Sequence, residues 1–287
     1  MSAQTLDGIL ERVGSLPPLP DTLYRLVGLV SDPSSSLEQI VAAVRYDQAF
    51  TAEVLRLCNS AYFGLSRSVD SLDDAIKLLG NTKVLQLVIA TQSRSMLSHP
   101  QTGYGLPAGA LFAHSVGVAI AAQALGRRLK ISEGGALFTA GLLHDVGKVV
   151  LNEFVANEYI EIAARVSREK LSFAEAEEQV LGFSHPEVGA RLGETWNLPP
   201  AIVRAIRYHH APLTCAVPDA LVDAIHVADA VCILLGIGGG DDGLNYRACP
   251  EVMARHGLTE SDVEMIGSEV ISETKSVRAV LSSMQGN

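Results

Sequence analysis

Helix-start patterns recur along this 287-residue chain, whereas the alternation of apolar and polar residues that is typical of β-strands is almost absent. Three segments begin with a capping box, in which Ser and a Glu or Gln three residues later satisfy free backbone N–H groups: Ser36–Gln39, Ser172–Glu175 and Ser184–Glu187. Apolar periodicity predicts helices at 4–13, 21–31, 37–46, 48–59, 72–79, 82–97, 107–129, 134–150, 155–170, 173–181, 185–196, 199–210, 218–236, 250–256 and 260–282. We therefore expect an all-α fold.

The residues available for the core suit closely packed helices. Hydrophobic residues make up 48% of the chain and aromatic residues only 5%, so the core consists mainly of Ala, Val, Leu and Ile. The segment Ser98–Pro107 contains two prolines and two glycines, which interrupt a helix. It predicts a boundary between an N-terminal helical subdomain, residues 1–98, and a C-terminal helical bundle, residues 99–287.

Charge and cysteine usage exclude several functions. The formal net charge is -10, and the longest basic cluster is Arg127-Arg128 with Lys130, so we expect no binding to nucleic acid. The four cysteines form no C-x-x-C pair, which is typical of reduced packing residues in a cytoplasmic protein. Because no apolar run reaches roughly 18 residues, we expect no membrane helix.

One motif combines metal-binding side chains with an apolar helix. The segment Gly141–Lys148 reads Gly-Leu-Leu-His-Asp-Val-Gly-Lys, with His144 beside Asp145 and Lys148 about one turn further on. An imidazole and a carboxylate together offer mixed nitrogen and oxygen donors, which suit Mn, Fe, Co, Ni or Zn. This pair alone would leave the coordination of an ion incomplete.

Further candidate ligands lie in segments that otherwise appear buried. His114 and Asp229 stand in apolar helices, where a lone ionised carboxylate is costly unless it is paired or bound to metal. Asp223, His226 and Asp229 step by three residues along one side of a helix, so at least one is expected to face a polar site. The remaining candidates are His185, His209 and His210. Each alone has an ordinary structural explanation, but the ordered series is hard to obtain by chance.

The order of these residues resembles that of a known superfamily. His114, His144-Asp145 and Asp229 reproduce the H…HD…D order of the HD phosphohydrolases, in which these positions bind one metal ion. His185 and His209-His210 resemble the histidines with which HD-GYP phosphodiesterases bind a second ion, with the Asp of the HD pair bridging. The resemblance implies that Asp145 and Lys148 are the catalytic residues, Lys148 contacting substrate phosphate.

Two departures limit that resemblance. His210 is followed by Ala211-Pro212-Leu213, and no Gly-Tyr-Pro signature occurs in the chain, which argues against hydrolysis of cyclic di-GMP. Some HD-GYP proteins also have a Glu one turn before the first His, where this chain has Ala110, which argues against a third metal ion.

The N-terminal half resembles a narrower family, the HDOD domains. The resemblance rests on Leu16–Pro20, Asp47–Gly64 and Ser71–Ile76 with Leu79-Gly80, and it spans about residues 15–215. It implies an N-terminal helical subdomain followed by an HD-like helical bundle. None of these N-terminal motifs suggests a catalytic role.

Two functions follow from the resemblance, and the sequence does not choose between them. The chain is either a regulatory module of bacterial-type signal transduction, whose partners are signalling proteins or a small nucleotide ligand, or a metal-dependent phosphohydrolase or phosphodiesterase acting on a nucleotide. The expected cofactor is one or two divalent transition-metal ions, Fe or Mn. In an alternative without metal, His144, Asp145 and Asp229 form a buried hydrogen-bonded network, which is stable when every member is satisfied.

Overall fold

A computed structural model describes residues 21–31, 93–94, 96–131, 134–238, 240 and 245–282, together with isolated positions between residues 8 and 90. Apart from those positions, the predicted helices 4–13, 37–46, 48–59 and 72–79 lie outside the described residues. The capping box that begins at Ser36 and most of the N-terminal motifs lie outside them as well. The division at residue 98 stays a prediction.

The described part of the chain is helical, as predicted, and it contains no β-strand. Its α-helices are α1 Asp21–Ser31, α2 Ala110–Leu129, α3 Gly134–Leu143, α4 Val146–Glu169, α5 Phe173–Leu181, α6 His185–Thr195, α7 Pro200–Tyr208, α8 Ala220–Leu234, α9 Pro250–Arg255 and α10 Glu260–Ser282. Two short 3-10 helices lie at Thr102–Tyr104 and Pro212–Thr214. The only paired bridge in this part joins Gln101 and Leu106, which close a turn.

The bundle is built around α2, which packs against α3, α8 and α10, while α4 packs against α5, α6 and the 3-10 helix at 102–104. Small residues let these helices approach closely. A Cβ added to Gly141 on α3 would lie 2.7 Å from the Cα of Ala119 on α2, so only glycine fits there. Among the described helices, none is long and apolar enough to cross a membrane.

The HD motif lies at a break between helices rather than within the predicted helix 134–150. Helix α3 ends at Leu143, and α4 begins at Val146 and continues through the predicted gap to Glu169. At the break, Nδ1 of His144 donates to the carbonyl oxygen of Gly141 at 2.7 Å. That carbonyl is one of those left free at a helix C-terminus, and the imidazole satisfies it.

The two capping boxes within the described residues differ in outcome. Ser172 and Glu175 form the predicted box at the start of α5, with reciprocal bonds of 3.3 and 2.7 Å. Ser184 precedes α6 as predicted, but its side chain makes no capping hydrogen bond, so the second box is wrong. Its hydroxyl interacts with the carboxylate of Glu178 instead.

Candidate metal centre

The seven side chains predicted as metal ligands converge at the centre of the bundle. Helix α2 supplies one, the α3–α4 junction two, the start of α6 one, the segment after α7 two, and α8 one: His114, His144, Asp145, His185, His209, His210 and Asp229. Six are buried, and His210 is half-buried. Helices that are distant in sequence therefore bring the whole predicted series to one place.

Close helix packing positions two of these segments. A Cβ on Gly147, the third residue after His144, would overlap the carbonyl oxygen of His185 and lie 2.7 Å from the backbone nitrogen of Gly189. Gly147 thus lets α4 lie directly against the first turn of α6. This contact places His185 beside Asp145. Close helix packing therefore explains why the His-Asp-Val-Gly-Lys motif has a glycine at its fourth position.

Four side chains form a first set around one point. Nε2 of His114 lies 3.0 Å from Oδ1 of Asp229 and 3.7 Å from Oδ2 of Asp145. Nε2 of His144 lies 3.3 Å from the same Asp145 oxygen and 3.8 Å from Asp229 Oδ1. Two imidazoles and two carboxylates thus point their donor atoms at one another.

A second set lies on the other side of Asp145. Its Oδ1 lies 3.4 Å from Nε2 of His185 and 3.6 Å from Nε2 of His209. Nε2 of His210 lies 3.0 Å from Nε2 of His185. Because Oδ2 faces the first set and Oδ1 the second, Asp145 is shared between them.

Hydrogen bonds at Nδ1 orient most of the rings. Nδ1 of His114 donates to the carbonyl of Ile237 at 2.9 Å, and Nδ1 of His209 donates to that of Ile206 at 2.7 Å. Since a carbonyl only accepts, Nδ1 carries the proton, and Nε2 of the neutral ring is left as a lone-pair donor toward the centre. The bond from His144 to Gly141 fixes that ring in the same way.

The donor atoms suit divalent first-row metal ions. No hydrogen bond within the described residues reaches four buried donor atoms, namely Nε2 of His144 and of His209 and Oδ1 of Asp145 and of Asp229. Buried polar atoms rarely lack partners unless an ion or water completes them. Two ligand atoms with bonds of about 2.0–2.2 Å to one ion stand roughly 3–3.5 Å apart. The separations given above, 3.0–3.8 Å, lie within that range or slightly above it.

The electrostatics keep both carboxylates ionised. Burial alone would raise the pKa of Asp145, but the neighbouring His144 and Lys148 hold it well below its usual range. Burial likewise opposes ionisation of Asp229, yet the neighbouring imidazoles of His114 and His144 lower its pKa. Each set therefore contains anionic oxygen.

Some histidines of the centre have a raised pKa and others a lowered one. Burial would lower the pKa of His185, but the charge of Glu177 and the nearby carboxylate of Asp145 raise it to about 9. Burial lowers the pKa of His209 to about 4, and burial with the neighbouring His209 and His185 lowers that of His210. For His114, the carboxylate of Asp229 outweighs burial and raises the pKa.

Lys148 lies inside the centre. It is buried on the first turn of α4, and its Nζ donates to Oδ2 of Asp145 at 2.5 Å. The ammonium also lies 5.7 Å from the ring centroid of Tyr104. A cation is therefore held next to the carboxylate that both sets share.

Of the three polar residues that step along α8, only Asp229 joins the centre. Oδ2 of Asp223 accepts bonds of 2.8 Å from both Arg255 and His256. Nδ1 of His226 donates to the carbonyl of His209 at 2.6 Å. The expectation that at least one faces a polar site is confirmed, and the other two hold neighbouring segments.

Sequence reasoning missed residues that support the centre, among them Glu177 and Tyr246. Glu177 on α5 is buried and binds His185, but it lies among other Glu residues in an amphipathic helix and carries no distinguishing pattern. Tyr246 precedes α9, and its hydroxyl is 3.1 Å from the carbonyl of His209 and 2.9 Å from Nδ1 of His226. Burial, together with the charge of Asp229, raises the pKa of Tyr246 well above 10.

A cavity of about 520 Å³ borders the second set. It touches His210 and His226, Tyr246 covers one side, and Arg207 and Arg247 lie on its wall. His210 is also the only half-buried member of the two sets. Within the described residues, approach to the centre is therefore most open on the His210 side.

Comparisons with known proteins agree with this architecture. A solved HDOD domain protein of unknown function from Geobacter sulfurreducens is 29% identical, with 96% of each chain covered and a TM-score of 0.73. A candidate signal transduction protein from Marinobacter aquaeolei VT8 shares the fold at 24% identity and a TM-score of 0.74, over 96% of this chain and 61% of that chain. An uncharacterized protein from Treponema pallidum (strain Nichols) is 26% identical over 214 residues.

That last match covers 70% of this chain but only 39% of the curated relative, so the chain spans well under half of that protein. The family description of the HDOD domain matches residues 16–212, which is more than half of the 287 residues. The protein belongs to the HDOD domain family.

Proposed function

We propose that this protein is an HDOD signal transduction protein whose helical bundle binds two divalent transition-metal ions, Fe or Mn. The observation that carries the proposal is the position of Asp145, whose two oxygens face two separate sets of donors. His114, His144 and Asp229 would hold one ion with Asp145. His185, His209 and His210 would hold the other with the same carboxylate.

The donor set favours this class of ion. Five imidazoles and two carboxylates form a mixed nitrogen and oxygen environment, which suits Mn, Fe and their first-row neighbours better than Mg or Ca. An arrangement without metal is less favourable, because it leaves the donor atoms of His144, His209 and Asp229 buried without hydrogen bonds. The signalling role is supported by the fold that the chain shares with the candidate signal transduction protein from Marinobacter aquaeolei VT8.

The test is elemental analysis of protein purified without a chelator or affinity tag, compared with Asp145→Asn. We expect about two transition-metal ions per wild-type chain and the loss of both in Asp145→Asn, because both sets lose their shared anion. His99→Ala is the matched control, since His99 is an exposed histidine outside both sets. Wild-type protein that stays without metal after anaerobic reconstitution with Fe and Mn would contradict the proposal.

A second candidate function is hydrolysis of a nucleotide phosphate ester. Two observations favour it: the cation of Lys148 lies beside the shared carboxylate, and the cavity at His210, lined by two arginines and two glutamates, leaves room for a ligand beside the second set. Bound metal ions would supply Lewis acidity, which activates water and offsets charge on phosphoryl oxygens. Lys148 would add a buried positive charge for the phosphate.

Hydrolysis is tested separately from metal binding. Protein reconstituted with Mn is incubated with a panel of nucleoside mono-, di- and triphosphates and cyclic nucleotides, and the products are measured: phosphate, nucleoside and, from the cyclic nucleotides, the linear nucleotide. Turnover that disappears in Asp145→Asn and persists in His99→Ala would establish the enzyme. Metal-loaded protein that hydrolyses none of them would leave regulation as the function.

A further inference from the structure

A buried carboxylate outside both donor sets lies next to the second set. Glu177 on α5 is fully buried, and it lies on the side of His185 that faces away from Asp145. Its Oε2 accepts from the backbone nitrogen of His185 at 2.9 Å and from Nδ1 of the same residue at 2.7 Å. Burying a carboxylate is costly unless such bonds compensate, so its place on His185 needs an explanation.

His185 differs from the other oriented histidines in the partner of its Nδ1. His114, His144 and His209 each donate Nδ1–H to a backbone carbonyl, which the helices place whatever the neighbouring side chains are. His185 donates to the carboxylate of Glu177. The orientation and donor strength of this one ring therefore depend on a side chain.

Tyr104 fixes Glu177 from the opposite direction. Its hydroxyl donates to Oε1 of Glu177 at 2.6 Å, and its ring meets that of His185 edge-on with centroids 6.1 Å apart. The segment that carries Tyr104 is attached to α4, because the backbone nitrogen of Gly103 donates to Oδ1 of Asn152 at 2.9 Å. A chain of hydrogen bonds thus runs from Tyr104 through Glu177 to His185.

The two donor sets also differ in charge. The first set contains Asp229 in addition to the shared Asp145. The second set has only Asp145 as an anion, together with three imidazoles. Glu177 adds a second negative charge one hydrogen bond behind His185, which makes up for the missing carboxylate.

We infer that Glu177, held by Tyr104, is the positioning residue of the second metal ion. It does not touch the ion. It fixes the ring of His185 with Nε2 toward Asp145, and its charge strengthens Nε2 as a donor. The inference rests on the two-ion centre proposed above, and it predicts that the second ion depends on Glu177 while the first does not.

The experiment compares wild-type protein with Glu177→Gln, which keeps the shape of the side chain and removes its charge. Mn(II) is titrated into metal-depleted protein and followed by calorimetry and by electron paramagnetic resonance. Wild-type protein is expected to bind two ions, the second giving the spectrum of a coupled Mn pair. In Glu177→Gln, the second ion should bind about 10- to 100-fold more weakly, as is common when a residue behind a ligand is changed.

The first ion should bind Glu177→Gln with wild-type affinity and give an uncoupled spectrum, which a general loss of structure would not produce. Glu178→Gln is the matched control, because it is the next residue on α5 and its side chain is exposed. Glu177→Asp, which keeps the charge, should restore part of the second affinity. Equal second-ion affinity in wild type and Glu177→Gln would overturn the inference while leaving the two-ion centre intact.

Wild-type protein that binds fewer than two ions would overturn both the two-ion centre and the inference. Tyr104→Phe keeps the test decisive if Glu177→Gln does not fold. It removes one donor to Glu177 and keeps the carboxylate, so second-ion affinity should fall by a smaller factor in the same direction. An unchanged second affinity in folded Tyr104→Phe would count against the inference.

Discussion

Nε2 of His185 lies 3.0 Å from Nε2 of His210, although Nδ1–H of His185 already donates to Glu177. Two bare lone pairs would repel each other at this distance, so a proton or a metal ion lies between them. The pKa of His185 is raised to about 9, and that of His210 is lowered well below its usual value. At neutral pH without metal, His185 therefore holds the proton and His210 accepts it.

This pair predicts that loading the second site releases a proton. A raised pKa means that His185 stays protonated up to about pH 9, and metal binding requires its neutral ring. The affinity for the second ion should therefore rise as the pH rises from 6 toward 9. Calorimetry at pH 7 in two buffers of different ionisation enthalpy should show about one proton released with the second ion. Absence of buffer dependence at that step would refute the assignment.

Gly147 should tolerate no side chain. In Gly147→Ala the new methyl group would overlap the carbonyl of His185 in the backbone of α6, so α4 and α6 must separate. We expect a loss of about 1–3 kcal/mol in the free energy of unfolding, typical of overpacking, together with weaker binding of the second ion. Urea denaturation and Mn titration measure the two effects.

Gly28→Ala is the control for that substitution. Gly28 also lies in a helix, but outside the backbone of its own helix no described atom lies within 4 Å of the position its Cβ would take. Alanine is a better helix former than glycine by about 1 kcal/mol, so this variant should be as stable as wild type or more so, with unchanged metal content. If Gly147→Ala and Gly28→Ala had the same free energy of unfolding and the same metal content, the close contact at Gly147 would not be required for either.

The all-α class and the identity of the converging side chains could be predicted from the sequence. Apolar periodicity indicates the helices, and the ordered series of His and Asp residues indicates the ligands. Helix breaks were harder to predict. The apolar pattern through 134–150 continues across His144 and Asp145, yet α3 ends before them, and the His144 ring bonds back to the carbonyl of Gly141. Such a bond depends on the ring turning back onto its own helix, which periodicity does not encode.

Lys148→Met should separate metal binding from turnover. The substitution removes the ammonium that lies 2.5 Å from Asp145 and keeps most of the apolar side chain, while every donor atom of the two sets remains. Metal content should therefore stay at the wild-type value. If the Mn-loaded protein hydrolyses a nucleotide, kcat should fall by about 10²–10³-fold, as when one preorganised charge-stabilising group is removed. Loss of metal from folded Lys148→Met would instead make the lysine a structural part of the centre.

The residues that support the ligands could not be predicted for a different reason. Glu177 and Tyr104 are 73 positions apart, and nothing in either local sequence indicates their hydrogen bond. The spacing of Asp223 and Asp229 on α8 marks both equally as candidates. Only the tertiary contacts of α8 with α2 on one side and with α9 on the other distinguish them.

Those two aspartates provide the sharpest test of the site assignment. Asp229 lies 3.0 Å from His114 in the first set, whereas Asp223 binds Arg255 and His256. Asp229→Asn should remove the first ion, because the amide replaces an anionic donor with a neutral one. Asp223→Asn should keep both ions but lower the free energy of unfolding by about 1–3 kcal/mol, since it weakens charge-assisted bonds at a buried position.

Each variant is thus the control for the other: same residue type, same helix and comparable burial. Elemental analysis and urea denaturation of the pair should show metal loss only in Asp229→Asn. The fold is expected to survive in both, because α8 keeps its apolar contacts. If Asp223→Asn loses metal to the same extent, the contacts of α8 with α9 would have to be part of the metal centre, and the assignment of Asp229 as the sole ligand from this helix would fail.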